Sequence, residues 1–61
     1  MEQTVRLRML DRAVQQLGAA ELARRLGVTE ETLRAWLAGH ATMPERKALL
    51  LVDVLDEISA P

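Results

Sequence analysis

Sixty-one residues at a net charge of −1 allow one small domain, expected here over residues 1–61, since chains of about 60 lie at the low end of what folds alone. With no Cys, one His (His40), one Ser (Ser59) and one aromatic residue (Trp36), the chain has no means to build a disulfide, a thiolate or imidazole metal site, or a Ser-His-Asp triad. The charge is uneven, because residues 1–47 hold all eight Lys and Arg against six acids, a net of +2, while residues 48–61 hold three acids and no base, a net of −3.

Leu, Ala, Arg and Glu dominate, and β-branched residues are scattered, so the expected class is all-α. The first periodic segment spans about residues 4–17. Its Leu7, Leu10, Ala13, Val14 and Leu17 recur at three- and four-residue spacing and form one stripe, with Thr4 as the expected N-cap and Gly18 as the stop. A short second helix follows from Ala19 to Leu26, with Leu22, Ala23 and Leu26 facing inward and Gly27 at the position that needs a left-handed residue. Thr29 reads as the N-cap of a third helix, because Glu30 and Glu31 then fall in the first turn, where the helix dipole favours carboxylates. Leu33, Trp36 and Leu37 share one face of it, which makes Trp36 a core anchor, and Gly39 ends it. His40 falls in the loop beyond, an exposed or capping position.

The fourth helix is expected over about residues 43–58. Thr42 and Glu45 have capping-box spacing, and Pro44 suits the first turn. Ala48, Leu51, Val52, Leu55 and Ile58 make its stripe, but Leu50 and Val54 widen the apolar arc beyond what one face of a monomer requires. Either the helix sits between two layers of its own fold, or Leu50 and Val54, with Leu49 beside them, form a dimer interface.

The segment 19–38 carries the most specific pattern: Leu22-Ala23, then Leu26-Gly27-Val28, then Leu33 and Trp36. A small residue lets two helices cross closely, a glycine makes the turn, an aliphatic residue plugs the angle, and two apolar residues anchor the second helix on the first. With Trp36-Leu37-Ala38-Gly39, Pro44 and a leucine-rich helix beyond, the chain resembles a Cro/repressor-type (lambda-repressor-like) helix-turn-helix domain over about residues 4–58. The resemblance implies a compact four-helix bundle that binds double-stranded DNA as a symmetric homodimer, with the recognition helix, residues 30–38, in the major groove.

By that resemblance the groove-facing positions are Thr29, Glu30, Glu31, Arg34, Ala35 and Ala38. Arg34 is the long donor suited to guanine O6 and N7, Thr29 suits a phosphate, and Ala35 suits a thymine methyl. Glu30 and Glu31 depart from an ordinary DNA face, since phosphate repels a carboxylate unless it accepts from cytosine N4. Ala19 and Ala20 stand where relatives often place a phosphate-binding Gln. Arg24, Arg25, Arg46 and Lys47, with Arg6, Arg8 and Arg12, are the candidate phosphate contacts.

The expected function is a sequence-specific DNA-binding transcriptional regulator or DNA-binding module. The alternative is a helix-turn-helix fold used for protein–protein interaction or assembly, with an eroded DNA face. No enzymatic activity, cofactor, metal or small-molecule substrate is expected. No apolar run approaches the roughly 20 residues that cross a bilayer, so a soluble cytoplasmic protein is expected.

Overall fold

Three glycines at positive φ, Gly18, Gly27 and Gly39, punctuate the chain between its helices. The computed structural model describes residues 3–59 and forms α1 (Gln3–Leu17), α2 (Ala19–Leu26), α3 (Glu30–Leu37) and α4 (Glu45–Ser59), with no strand among those residues. The fold is an all-α helix-turn-helix bundle, and the helix limits follow the periodicity to within one or two residues.

Both motif helices end in the same way. Gly27, at φ 72 and ψ 32, lets its own N–H donate to the Arg24 carbonyl and the Val28 N–H to the Ala23 carbonyl. At the end of α3, the Gly39 N–H donates to Trp36 and the His40 N–H to Ala35. This paired pattern satisfies carbonyls that the last helical turn would otherwise leave open, and it needs a left-handed residue at its centre. The tight turn leaves only Gly27, Val28 and Thr29 between the two motif helices.

Leu10 and Ala13 of α1, Leu22, Ala23 and Leu26 of α2, Leu33 and Trp36 of α3, and Ala48, Leu51 and Val54 of α4 form one core together with Met43. The stripes read from the sequence are therefore correct in α2 and α3, where the pattern is dense and short. Three readings need correction. Thr4 lies within α1 and is not its N-cap. The Thr42–Glu45 capping box is not formed: α4 begins at Glu45, and its first turn is closed by the Ala48 N–H on the Pro44 carbonyl. Within α4, Val54 takes the core position at 7% exposure, whereas Val52 is 39% exposed.

The cause lies in the position of α4, which packs on both α1 and α2. A helix wedged between two neighbours buries a wider arc than one lying on a single neighbour, and the arc extends toward Val54 because that flank meets α2. Of the two alternatives left open for Val54, the structure places it in the core of this chain.

Met43 completes the core from the loop before α4. It is buried, and its carbonyl accepts a 2.7 Å hydrogen bond from Arg6 Nη1 across 37 residues of sequence. A buried side chain and a charge-assisted hydrogen bond at one residue fix where α4 starts, more firmly than a threonine cap at the preceding residue could.

Candidate nucleic-acid interface

The outward face of α3 is set by its buried face. Leu33 and Trp36 point into the core, so Glu30, Glu31, Arg34 and Ala38 are exposed and Ala35 is half-buried. The start of this helix is built as the sequence predicts: Thr29 Oγ1 accepts from the Thr32 N–H at 3.1 Å and donates to Thr32 Oγ1 at 3.0 Å. Glu30 and Glu31 then occupy the first turn, where the unpaired N–H groups attract negative charge.

Arg34 reaches back one turn to Glu30, with 3.7 Å between Nη2 and Oε1 and its own side chain 74% exposed. At that distance and exposure the pair is an ion contact with no hydrogen bond, and such contacts contribute about 0–1 kcal/mol. The guanidinium is therefore readily released toward a stronger acceptor. Ala35 and Ala38 beside it add no bulk, which leaves Arg34 as the long donor on a face it shares with the exposed carboxylates Glu30 and Glu31.

The structure distributes the other basic candidates unevenly. Arg24 and Arg25 both turn to Glu21. Arg24 Nη2 lies 2.7 Å from each Glu21 carboxylate oxygen, and Arg25 Nε lies 3.0 Å from Oε2, while Arg25 Nη1 also approaches Glu57 of α4 at 3.5 Å. The hydrogen bonds from Arg24, then those from Arg25, hold the Glu21 carboxyl below the ordinary carboxylate range. Lys47 Nζ donates to the Leu26 carbonyl at 2.7 Å, and Arg6 is committed to Met43 with its Nε buried.

Arg8, Arg12 and Arg46 are exposed and have no hydrogen-bond or ion-pair partner among the described residues. Glu30, Arg34 and Ala35 lie on α3 and Thr29 at its cap, all exposed except the half-buried Ala35. Arg24 and Arg25 instead sit with Val54 and Glu57 along a cleft between α2 and α4.

Two structural contacts of candidate phosphate-binding residues are not legible in the sequence. Lys47 stands where a phosphate contact was expected, yet it also caps α2. Arg6 likewise serves the loop. Neither contact has a local signal, because their partners lie 21 and 37 residues away. Among the described residues no group of three His or acidic side chains is placed to hold a metal ion, and no helix is long and apolar enough to cross a membrane.

Two short helices joined by a glycine turn, packed against two flanking helices and exposing an arginine on the second, define a helix-turn-helix domain. The chain belongs to the transposase family of helix-turn-helix domains, whose family model, described as Transposase, matches residues 2–59. That family is a DNA-binding helix-turn-helix module and is not catalytic by itself. No curated protein and no solved structure matches the chain. The likeness read from the sequence thus holds at the level of the helix-turn-helix domain, and the family shown is the transposase one.

Proposed function

We propose that this protein is a sequence-specific DNA-binding module whose recognition helix, residues 30–38, enters the major groove of double-stranded DNA in the manner of Cro/repressor-type domains. The observation that carries this reading is Arg34, 74% exposed and flanked by Ala35 and Ala38 on the outward face of α3. A single long donor on this face suits a guanine edge, and the adjoining Ala35 suits a thymine methyl. Thr29 contacts phosphate beside them by turning its one hydroxyl proton from Thr32 Oγ1 to a phosphate oxygen, and Glu30, freed from Arg34, is available to accept from a cytosine amino group.

Arg24 and Arg25 supply phosphate contacts by exchanging Glu21 for a phosphate oxygen, an exchange made easy by the small net worth of exposed pairs. Lys47 keeps two ammonium protons beyond the one it gives to Leu26, so it serves both the fold and the DNA backbone. The module acts in the cytoplasm as a homodimer joined through α4, where Leu49, Leu50 and Val52 remain exposed. Of the two roles for such a module, transcriptional regulation or service to another DNA reaction, the family name favours holding DNA sites for transposition, with catalysis supplied outside this domain.

Selection from random duplexes followed by anisotropy titration tests this. Arg34→Ala is expected to cost about 1–3 kcal/mol and to relax preference at one base pair, whereas Arg24→Ala weakens all sequences alike. Absence of any binding to pooled random duplexes at low salt by the folded wild type would sink the reading. That outcome favours the second reading, a protein-assembly domain, whose motivating feature is the pair Glu30 and Glu31 at the start of the recognition helix.

A further inference from the structure

Of the two carboxylates that open α3, Glu31 is the one that the DNA reading leaves without a task. It heads the outward stripe of the helix. Arg34, Ala35 and Ala38 follow it at three, four and seven residues, the spacing of a single helix face, and the backbone stays right-handed through Ala38. Leu33 and Trp36 hold the opposite face in the core. Glu31, Arg34 and Ala38 are exposed and Ala35 is half-buried, so this stripe is what α3 offers to a partner.

Glu30 stands to one side of it. Three and seven residues beyond Glu30 lie the buried Leu33 and the half-buried Leu37, which puts Glu30 on the flank of the helix that borders the core. It faces Arg34 at 3.7 Å, whereas Glu31 has no hydrogen-bond or ion-pair partner among the described residues. Glu31 therefore meets whatever docks on α3 with both carboxylate oxygens open, and Glu30 does so only after Arg34 has let go.

An unpaired carboxylate on a DNA-facing stripe is repelled by the phosphates, so it is offset only where it gains a donor. In the major groove the donors are the amino groups of cytosine and adenine. Adenine sets its N7 acceptor beside that amino group, which repels a carboxylate; cytosine presents its amino group with no ring acceptor of its own on that edge. A carboxylate thus suits cytosine, while a glutamine, which donates as well as accepts, suits adenine. From Glu31 to Arg34 the helix rises about 4.5 Å, little more than the step of about 3.4 Å between base pairs.

We infer, resting on the DNA-binding function proposed above, that Glu31 is a specificity-determining residue that accepts from cytosine N4 within one base pair of the guanine read by Arg34. The base-reading carboxylate is then Glu31 in place of Glu30. Glu31 weakens binding to DNA at large and recovers the loss only where the cytosine stands, so it discriminates by rejecting other sites as much as by reading its own.

Selection from random duplexes with the full chain, followed by anisotropy titration of the selected site and its single-base substitutions, tests this, with circular dichroism as a check on folding. The guanine is identified as the position that Arg34→Ala relaxes. Within one base pair of it the wild type is expected to prefer cytosine by roughly tenfold or more. Glu31→Ala flattens that choice, keeps the guanine preference and binds pooled DNA several-fold more tightly at low salt. Glu31→Gln turns the choice toward adenine, a change that a loss of helix stability would not produce. Asp56→Asn, which removes a negative charge from α4, leaves base choice as in the wild type. If the wild type binds DNA without a cytosine beside an Arg34-dependent guanine, or keeps that preference unchanged in either Glu31 variant, the assignment to Glu31 fails and the DNA reading stands; loss of the preference in Glu30→Ala instead would name Glu30 as the reader. If the folded wild type binds no DNA at all, both fail.

Discussion

The Lys47 ammonium lies 2.7 Å from the Leu26 carbonyl, so a side chain near the start of α4 closes the end of α2 at the helix-turn-helix corner. The contact falls beside Gly27, where a Cβ would sit 3.5 Å from the same Nζ. The first motif helix is thereby tied to the fourth by a charge placed at the negative end of its dipole. Lys47→Met keeps the stem and removes the ammonium. It is expected to lower stability by about 1–2 kcal/mol, read as a lower urea midpoint at unchanged slope.

Thr29 holds the start of the recognition helix through its hydroxyl. Thr29→Ala leaves the Thr32 N–H without that acceptor and is expected to cost about 1 kcal/mol. In a domain of this size that loss corresponds to roughly 4–8 °C in Tm. Thr29→Asp retains a cap acceptor and keeps the wild-type Tm, but it adds a third carboxylate at the DNA-facing end. Its DNA affinity at low salt falls although its stability does not, a separation that Tm and anisotropy measured together would show.

Met43 anchors the loop between α3 and α4. It is buried at 4% exposure, so Met43→Ala removes most of a core side chain and is expected to destabilise by about 2–5 kcal/mol. For a domain this small that is a large part of the total, and chemical denaturation should show it as a markedly lowered midpoint or as loss of the cooperative transition. Met43→Leu, close in volume, is expected to cost under about 1.5 kcal/mol.

The Glu21 carboxyl is held low by hydrogen bonds from Arg24 and, secondarily, Arg25. Its folded value lies below its unfolded one, so the stability it contributes is fully present above the unfolded value and is lost as the pH falls through the folded one. Between about pH 5 and pH 3 the urea midpoint should therefore fall more steeply for the wild type than for Glu21→Gln. Added salt should narrow the difference, because the group is exposed and screened. Equal slopes for the two proteins would show that Glu21 stays unpaired in solution.

Much of the candidate site could be read directly from residue order. The Thr29 cap, the Gly27 turn and the outward set Glu30, Glu31, Arg34 and Ala38 all depend on helical spacing over fewer than ten residues, and local spacing is what periodicity encodes. Family membership rests on the same stretch extended to the flanking helices. The start of α4 is not legible there, because the capping-box pattern at Thr42 is local, while the contact that decides it, Arg6 on Met43, spans 37 residues.

What the sequence determined by itself is therefore the set of four helices, the motif at 19–38 and the exposure of Arg34. Each of these follows from propensity and period along the chain. Tertiary structure alone decided that Val54 belongs to the core and Val52 to the surface, that Lys47 and Arg6 close backbone carbonyls, and that Arg24 and Arg25 share Glu21. The reason is physical: an arginine or lysine goes to the strongest acceptor within reach, and which acceptors are within reach is fixed only when the helices pack.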